Sequence, residues 1–170
     1  KRWPQWLEFE VCDMSEWGVP QTRKRVIAGS PFLIRRLRDR RQPFKKVTVR
    51  MACRSSIPKG ALGIKGQRGN WGNTRNGLQG ARAFQAEQRA VPMERRVRPG
   101  GLDVPAPTVL RCNTLQWAGE GGNTVRGLTL KEHAQIQTFP DSYHFPTNDR
   151  KLSQALCGNS VPPEFAMVLM

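Results

Sequence analysis

Apolar and polar positions alternate near the start of the chain. Leu7, Phe9 and Val11 interleave with Glu8, Glu10 and Cys12, the period of two of a half-exposed β-strand. Trp17-Gly18-Val19-Pro20 reads as a turn, and Val26-Ile27-Ala28-Gly29 reads as a short buried strand leaving it. Between them stand Gln21, Arg23 and Arg25; in extended backbone the two arginines share a side, about 7 Å apart. Pro31 to Arg50 has few apolar positions and predicts a short helix with a solvated basic face. Farther on, Thr108 to Cys112 predicts another short strand, entered through the extended Pro105-Ala106-Pro107, and 119–123 is a flexible break. The last section is the most sharply patterned. Thr129 precedes Glu132 by three, a capping box that predicts a helix from Leu130 to about Thr138, ended by Phe139-Pro140-Asp141. A second helix is expected near Leu152 to Leu156, closed by Gly158, with Gly158-Asn159-Ser160-Val161 a tight polar turn. Pro162-Pro163 opens a third, carrying Phe165, Ala166, Val168 and Leu169.

Charge adds a second layer. The 170 residues carry 28 Lys plus Arg against 13 Asp plus Glu, a formal +15. Between Arg23 and Arg98 the basic residues number 21 and the acidic 3, so the positive charge is concentrated in the middle. A polyanion, nucleic acid above all, is the expected partner. Glycines and prolines break any basic amphipathic helix of the kind that binds membranes, and no apolar run approaches the roughly 18 residues of a membrane span. Gly60, Gly63, Gly66, Gly69 and Gly72 fall at every third position, but the run is short and contains no proline, unlike collagen. It reads as a mobile loop over about 60–80 whose Lys65, Arg68, Trp71 and Arg75 suit a nucleic-acid backbone. Cys12, Cys53, Cys112 and Cys157 are widely spaced and only two histidines are present, so neither a metal site nor a disulfide scaffold is expected. The expected compartment is reducing and intracellular. The chain opens at Lys1 rather than at methionine and stops within an apolar helix pattern, so it is expected to be an excerpt.

Taken alone, Arg23 and Arg25 suit an anionic or carbonyl-bearing ligand, and a solvated basic strand end is the alternative. Three blocks in order resolve this. Gly-Val-Pro-Gln-x-Arg-x-Arg-Val at 18–26, Arg126-x-Leu128-Thr129-x-x-Glu132 with Phe139-Pro140-Asp141, and Gly158-Asn159-Ser160-Val161-Pro162-Pro163 resemble the eighth, ninth and tenth motifs of DNA (cytosine-5)-methyltransferases. The basic insert stands where that family carries its target-recognition domain, and Asp103-Val104-Pro105-Ala106-Pro107-Thr108-Val109 resembles a Pro-Ala-Pro-Thr segment frequent there.

The resemblance implies an α/β fold: the C-terminal part of an S-adenosylmethionine-dependent, Rossmann-like methyltransferase with a largely irregular and β basic target-recognition domain. Its implied divisions are 1–33 for the last catalytic strands, 34–125 for target recognition and 126–170 for the helical return. It implies that Arg25 holds the extruded cytosine and that Arg23 ties the surrounding loops. Asn159, Ser160 and Val161 would close over S-adenosylmethionine, and Thr108 would grip backbone near the flipped base. Gln21, Arg23, Arg25, Thr108, Lys65, Arg68, Trp71 and Arg75 are the expected DNA contacts, on double-stranded DNA. The implied compartment is the nucleus in a eukaryote and the cytoplasm or nucleoid otherwise.

The chain also departs from the family. The family nucleophile is a cysteine after proline, whereas Val11, Ala52, Arg111 and Leu156 precede the cysteines here. The cofactor's Phe-x-Gly-x-Gly and the Glu-Asn-Val acid are absent. The chain is therefore expected to be inactive alone and to partner the N-terminal methyltransferase half, in the same polypeptide or as a separate subunit. In the complete enzyme a flipped cytosine would be attacked by cysteine at C6 and methylated at C5. A non-catalytic DNA-binding module or a subunit of a split methyltransferase is the alternative, and an unrelated basic structural protein accounts for none of the three blocks.

Overall fold

The computed structural model describes residues 6–43, 45–66, 101–111, 115–120 and 123–170. Arg68, Trp71, Arg75 and Cys112 lie outside the described residues, as does most of the glycine-rich stretch. Two hydrophobic clusters organise the rest.

The first gathers around a hairpin. β1 (Glu8–Asp13) runs antiparallel to β2 (Lys24–Gly29), with Glu8 opposite Gly29 and Asp13 opposite Lys24. The connection is a 3-10 turn, Met14–Trp17, started by the Asp13 carboxylate accepting from the Ser15 N–H. Gly18, at φ +82°, takes the left-handed conformation that ends it. Helix α1 (Pro31–Asp39) begins on the Ser30 hydroxyl and buries Ile34 and Leu37. Helix α5 (Pro163–Leu169) brings in Phe165, whose ring meets Trp17 edge-on at 5.8 Å between centroids. The Trp17 indole N–H donates to the Leu37 carbonyl at 3.0 Å.

The second cluster lies under a three-stranded antiparallel sheet, β3 (Gly63–Gly66), β4 (Leu115–Ala118) and β5 (Thr124–Gly127), in that order. Helices α2 (Val49–Ala52), α3 (Leu130–Ile136) and α4 (Arg150–Asn159) add to it. Val49, Ile64, Val109, Leu115, Trp117, Leu128, Ile136 and Cys157 form its centre. The Thr129–Glu132 capping box is present, and α3 gives way at Thr138, whose φ is +62°. The Thr138 hydroxyl accepts from the Glu164 N–H at 3.2 Å, which serves α5 where Pro162 offers no side-chain cap.

Several sequence expectations need correction. The first hairpin wears its alternation inside out: Phe9, Val11 and Val26 are 63%, 59% and 65% exposed, and Ala28 is exposed too. Val26 to Gly29 is thus a strand but not a buried one. On the other face, Cys12 is buried, Ile27 packs on the first cluster and Glu10 pairs with Arg38 of α1. α1 and α5 cover that face, whereas no described residue covers the apolar one. Thr108 to Cys112 forms no strand within the described 108–111. Its neighbour Ala106 makes one isolated parallel bridge with Gln21, and the Val109 N–H goes to a side chain instead of a ladder. Gly158 does not close a helix but lies inside α4, which runs on to Asn159.

Candidate functional site

The two clusters meet where the Gln21–Arg23 segment runs beside Ala106–Val109. The backbone is stitched by Ala106 N–H to the Pro20 carbonyl and Thr22 N–H to the Ala106 carbonyl, at 2.8 and 2.9 Å. Arg23 is 4% exposed; its guanidinium donates from Nη1 to the Val109 carbonyl at 2.7 Å and from Nη2 to the Gly158 carbonyl at 2.9 Å. One side chain thus joins all three segments. Burial, helped by the neighbouring Arg25 charge, pushes its pKa down to about 10, so it remains charged at neutral pH.

Gln21 is fully buried. Its Oε1 accepts from Val109 N–H at 3.0 Å, and its Nε2 donates to Gln137 Oε1 and to the Ile136 carbonyl. Gln21 was expected among the DNA contacts; in the structure both ends of its amide are engaged inside the protein. Arg25, two residues beyond Arg23, is exposed, with Nη1 on the adjacent Lys24 carbonyl. The pair is divided by burial: Arg23 is locked and Arg25 faces solvent. The Thr108 hydroxyl donates to the Thr22 carbonyl, and Lys65 is half-buried in β3 opposite Gln116. Lys24, Lys45, Lys46, Arg54, Lys59 and Arg111 are exposed cations.

Asn159, Ser160 and Val161 lie at the end of α4. Asn159 and Val161 are exposed, while the Ser160 hydroxyl donates to the Cys157 carbonyl at 2.7 Å. One amide and one apolar side chain at a helix end fit one wall of a cofactor site and do not enclose one. Gly158 explains how this end is placed: a Cβ there would meet the Leu110 carbonyl carbon at 2.5 Å and the Arg111 nitrogen at 2.6 Å. Only glycine lets α4 approach the 109–111 backbone so closely.

Glu132 fastens β4, β5 and α3 together. It accepts from Arg126, from the Trp117 indole and from the Thr129 N–H at 2.7–3.2 Å. Burial alone would raise its carboxyl, but these bonds outweigh it and hold the pKa below the ordinary value. His133 bonds the Thr129 carbonyl through Nδ1 and accepts from Leu115 N–H at Nε2. Burial lowers its pKa, and the Nε2 acceptor role requires the neutral ring. Burial pushes the thiols the other way, Cys12 to about 11 and Cys53 and Cys157 to about 12, so none supplies a thiolate near neutrality. Among the described residues no group of three or more metal-binding side chains gathers, and no helix is long and apolar enough to cross a membrane.

Sequence reasoning missed Gln137 altogether. It is fully buried and donates from Nε2 to the Cys157 carbonyl at 2.6 Å. A glutamine in the last turn of a patterned helix, within one turn of Ile136 and ahead of Phe139-Pro140, is the only signal that was available.

Comparison with known proteins agrees with the family that the three blocks resemble. The chain is 27% identical over 201 residues to the type II methyltransferase M.BbvI of Brevibacillus brevis, covering 98% of this chain and 47% of the relative. It is 25% identical over 185 residues to M.MthTI of Methanothermobacter thermautotrophicus, 94% of this chain and 53% of the relative. Against M.FnuDI of Fusobacterium nucleatum it is 30% identical over 90 residues, 52% of this chain and 26% of the relative. The chain thus spans about half the length, or less, of these relatives. The model of the C-5 cytosine-specific DNA methylase family matches residues 33–170, most of the chain, beginning just after the Gln21–Arg25 segment. The chain belongs to the C-5 cytosine-specific DNA methylase family.

Proposed function

We propose that this chain is the C-terminal part of a DNA (cytosine-5)-methyltransferase, supplying DNA recognition, the clamp on the flipped cytosine and one wall of the S-adenosylmethionine site. The observation that carries the reading is Arg23, a buried guanidinium joining segments 109 and 158, with the exposed Arg25 held two residues away. The Arg25 guanidinium, on the segment that Arg23 anchors, would stabilise negative charge developing on a pyrimidine carbonyl oxygen. S-adenosylmethionine, when bound, supplies the electrophilic methyl group. Asn159 and Val161 form the wall against which it would rest, and the exposed basic residues between Lys24 and Lys59 offer phosphate contacts. Target recognition occupies the section after α1 up to β5, and the strands before it and the helices after it belong to the catalytic part.

The uncovered apolar face of the first hairpin supports the C-terminal assignment. A two-stranded antiparallel sheet that exposes Phe9, Val11 and Val26 leaves an apolar patch open, and an isolated hairpin is marginally stable without further strands or packing. An N-terminal methyltransferase half, covalent or separate, is the proposed cover and the proposed source of the nucleophile.

Single-turnover methylation by the complete enzyme tests the clamp. Arg25→Ala should cut the methylation rate about a hundredfold or more, in the range of a lost charge-stabilising donor, while DNA affinity changes little. Arg68→Ala should instead weaken binding and lower the salt slope by about one. Normal rates for Arg25→Ala would return Arg25 to a solvated strand end. A binding module that has lost its catalytic partner would bind DNA in the same way and give no methylation with any N-terminal half.

A further inference from the structure

Gln21 and Gln137 do more than fill a core. Starting from the target-recognition side, the Val109 N–H donates to Gln21 Oε1 at 3.0 Å, and Gln21 Nε2 donates to Gln137 Oε1. Gln137 Nε2 then donates to the Cys157 carbonyl at 2.6 Å, the same oxygen that accepts the Ser160 hydroxyl at 2.7 Å. Each amide accepts on one side and donates on the other, so the four bonds form an unbroken series. Both glutamines are 0% exposed, which removes water as a substitute partner. The Thr108 hydroxyl on Thr22 ties the outer end of the series to the strand carrying Arg25. The series therefore begins at the segment expected to lie near the flipped base and ends at the turn expected to line the cofactor.

Resting on the function proposed above, we propose that Gln21 and Gln137 are positioning residues that couple DNA binding to cofactor binding. A shift of the Thr108–Val109 segment cannot occur without breaking a buried hydrogen bond or carrying Cys157 and Ser160 with it. An apolar pair of the same shape would fill the volume but remove this link, leaving the two Arg23 bonds as the remaining hydrogen-bonded tie between the segments. Coupling of this kind is reciprocal: whatever factor DNA adds to cofactor affinity, the cofactor adds to DNA affinity.

The test measures that factor rather than activity. S-adenosylhomocysteine binding to the complete methyltransferase is titrated with and without a long mixed-sequence duplex at low salt. The unmodified enzyme should bind S-adenosylhomocysteine at least about fivefold more tightly with the duplex present, the low end of ordinary coupling. Gln137→Met should bring the ratio to within about twofold of one, and the partly exposed Ser160→Ala, which has little reason to misfold, should reduce it in the same direction. Combining the two should reduce it no further than the stronger single change, because they interrupt one series. A merely structural role predicts weaker cofactor binding with an unchanged ratio, and that result overturns the proposal. A ratio of one in the unmodified enzyme overturns it too, while leaving methylation and the proposed function intact. Loss of methylation and of S-adenosylhomocysteine binding in the unmodified enzyme would instead defeat the function on which it rests.

Discussion

Replacing Gly158 with alanine opposes two well-measured effects. In an unobstructed helix interior the change would stabilise by about 1 kcal/mol, the difference in helix propensity. Here the new Cβ would stand 2.5 Å from the Leu110 carbonyl carbon, 2.6 Å from the Arg111 nitrogen and 2.7 Å from the Leu110 oxygen. All three are backbone atoms, so no side chain can rotate away. Either α4 or the 109–111 segment must move, and overpacking of this kind costs about 1–3 kcal/mol. Movement also stretches the two bonds from Arg23 to Val109 and Gly158, and a buried hydrogen bond to a charged group contributes about 1.5–3 kcal/mol. The net expectation is destabilisation by about 2–4 kcal/mol. With a urea slope of about 2 kcal/mol/M, the unfolding midpoint should fall by about 1 M or more. Gly127→Ala is the control, since nothing lies within 4 Å of its added Cβ, and it should stay within about 0.5 kcal/mol. A Gly158→Ala protein as stable as the original in urea would refute the close-approach argument and the seam built on it.

Acid should weaken the fold from about pH 6.5 downward. His133 has a lowered pKa when folded, so below its unfolded value the unfolded chain takes up a proton that the folded one refuses. Glu132, also lowered, adds a loss of stability as pH falls through its own folded value. Urea midpoints across pH 4–8 should show the His133 step vanish in His133→Asn. Glu132→Ala should cost about 2–4 kcal/mol by leaving the buried Trp117 indole N–H unpaired and removing the Glu132 half of the α3 capping box, read in the same denaturation assay. DNA affinity should fall at least about tenfold between roughly 0.05 and 0.2 M salt, by filter binding or anisotropy. Val26→Lys should change the stability of this chain by less than about 0.5 kcal/mol yet abolish assembly with an N-terminal methyltransferase half, measured by sedimentation.

Local chemistry was readable wherever it was self-contained. Thr129 and Glu132 satisfy each other's neighbourhood within one helical turn, so the capping box needed no knowledge of the fold. The β1 and β2 strands were likewise plain, but their orientation was not. Alternation tells which residues share a face, and only the surrounding protein decides which face is covered. Burial at the seam was invisible for the same reason: Gln21 and Arg25 are both polar residues at alternate positions, and the partner that buries Gln21, Gln137, stands 116 residues away. Gly158 was misread as a helix stop because glycine after an apolar run usually is one. Its true reason, a neighbouring backbone passing within van der Waals reach, has no local signature.

The central claim is that this chain is one part of a divided catalytic site. Incorporation of labelled methyl from S-adenosylmethionine into duplex DNA tests it most directly, measured with this chain alone, with an N-terminal methyltransferase half alone, and with both together. The account predicts no incorporation from either part and clear incorporation from the pair. Incorporation by this chain alone, or none from the pair when both are folded and associated, would contradict it.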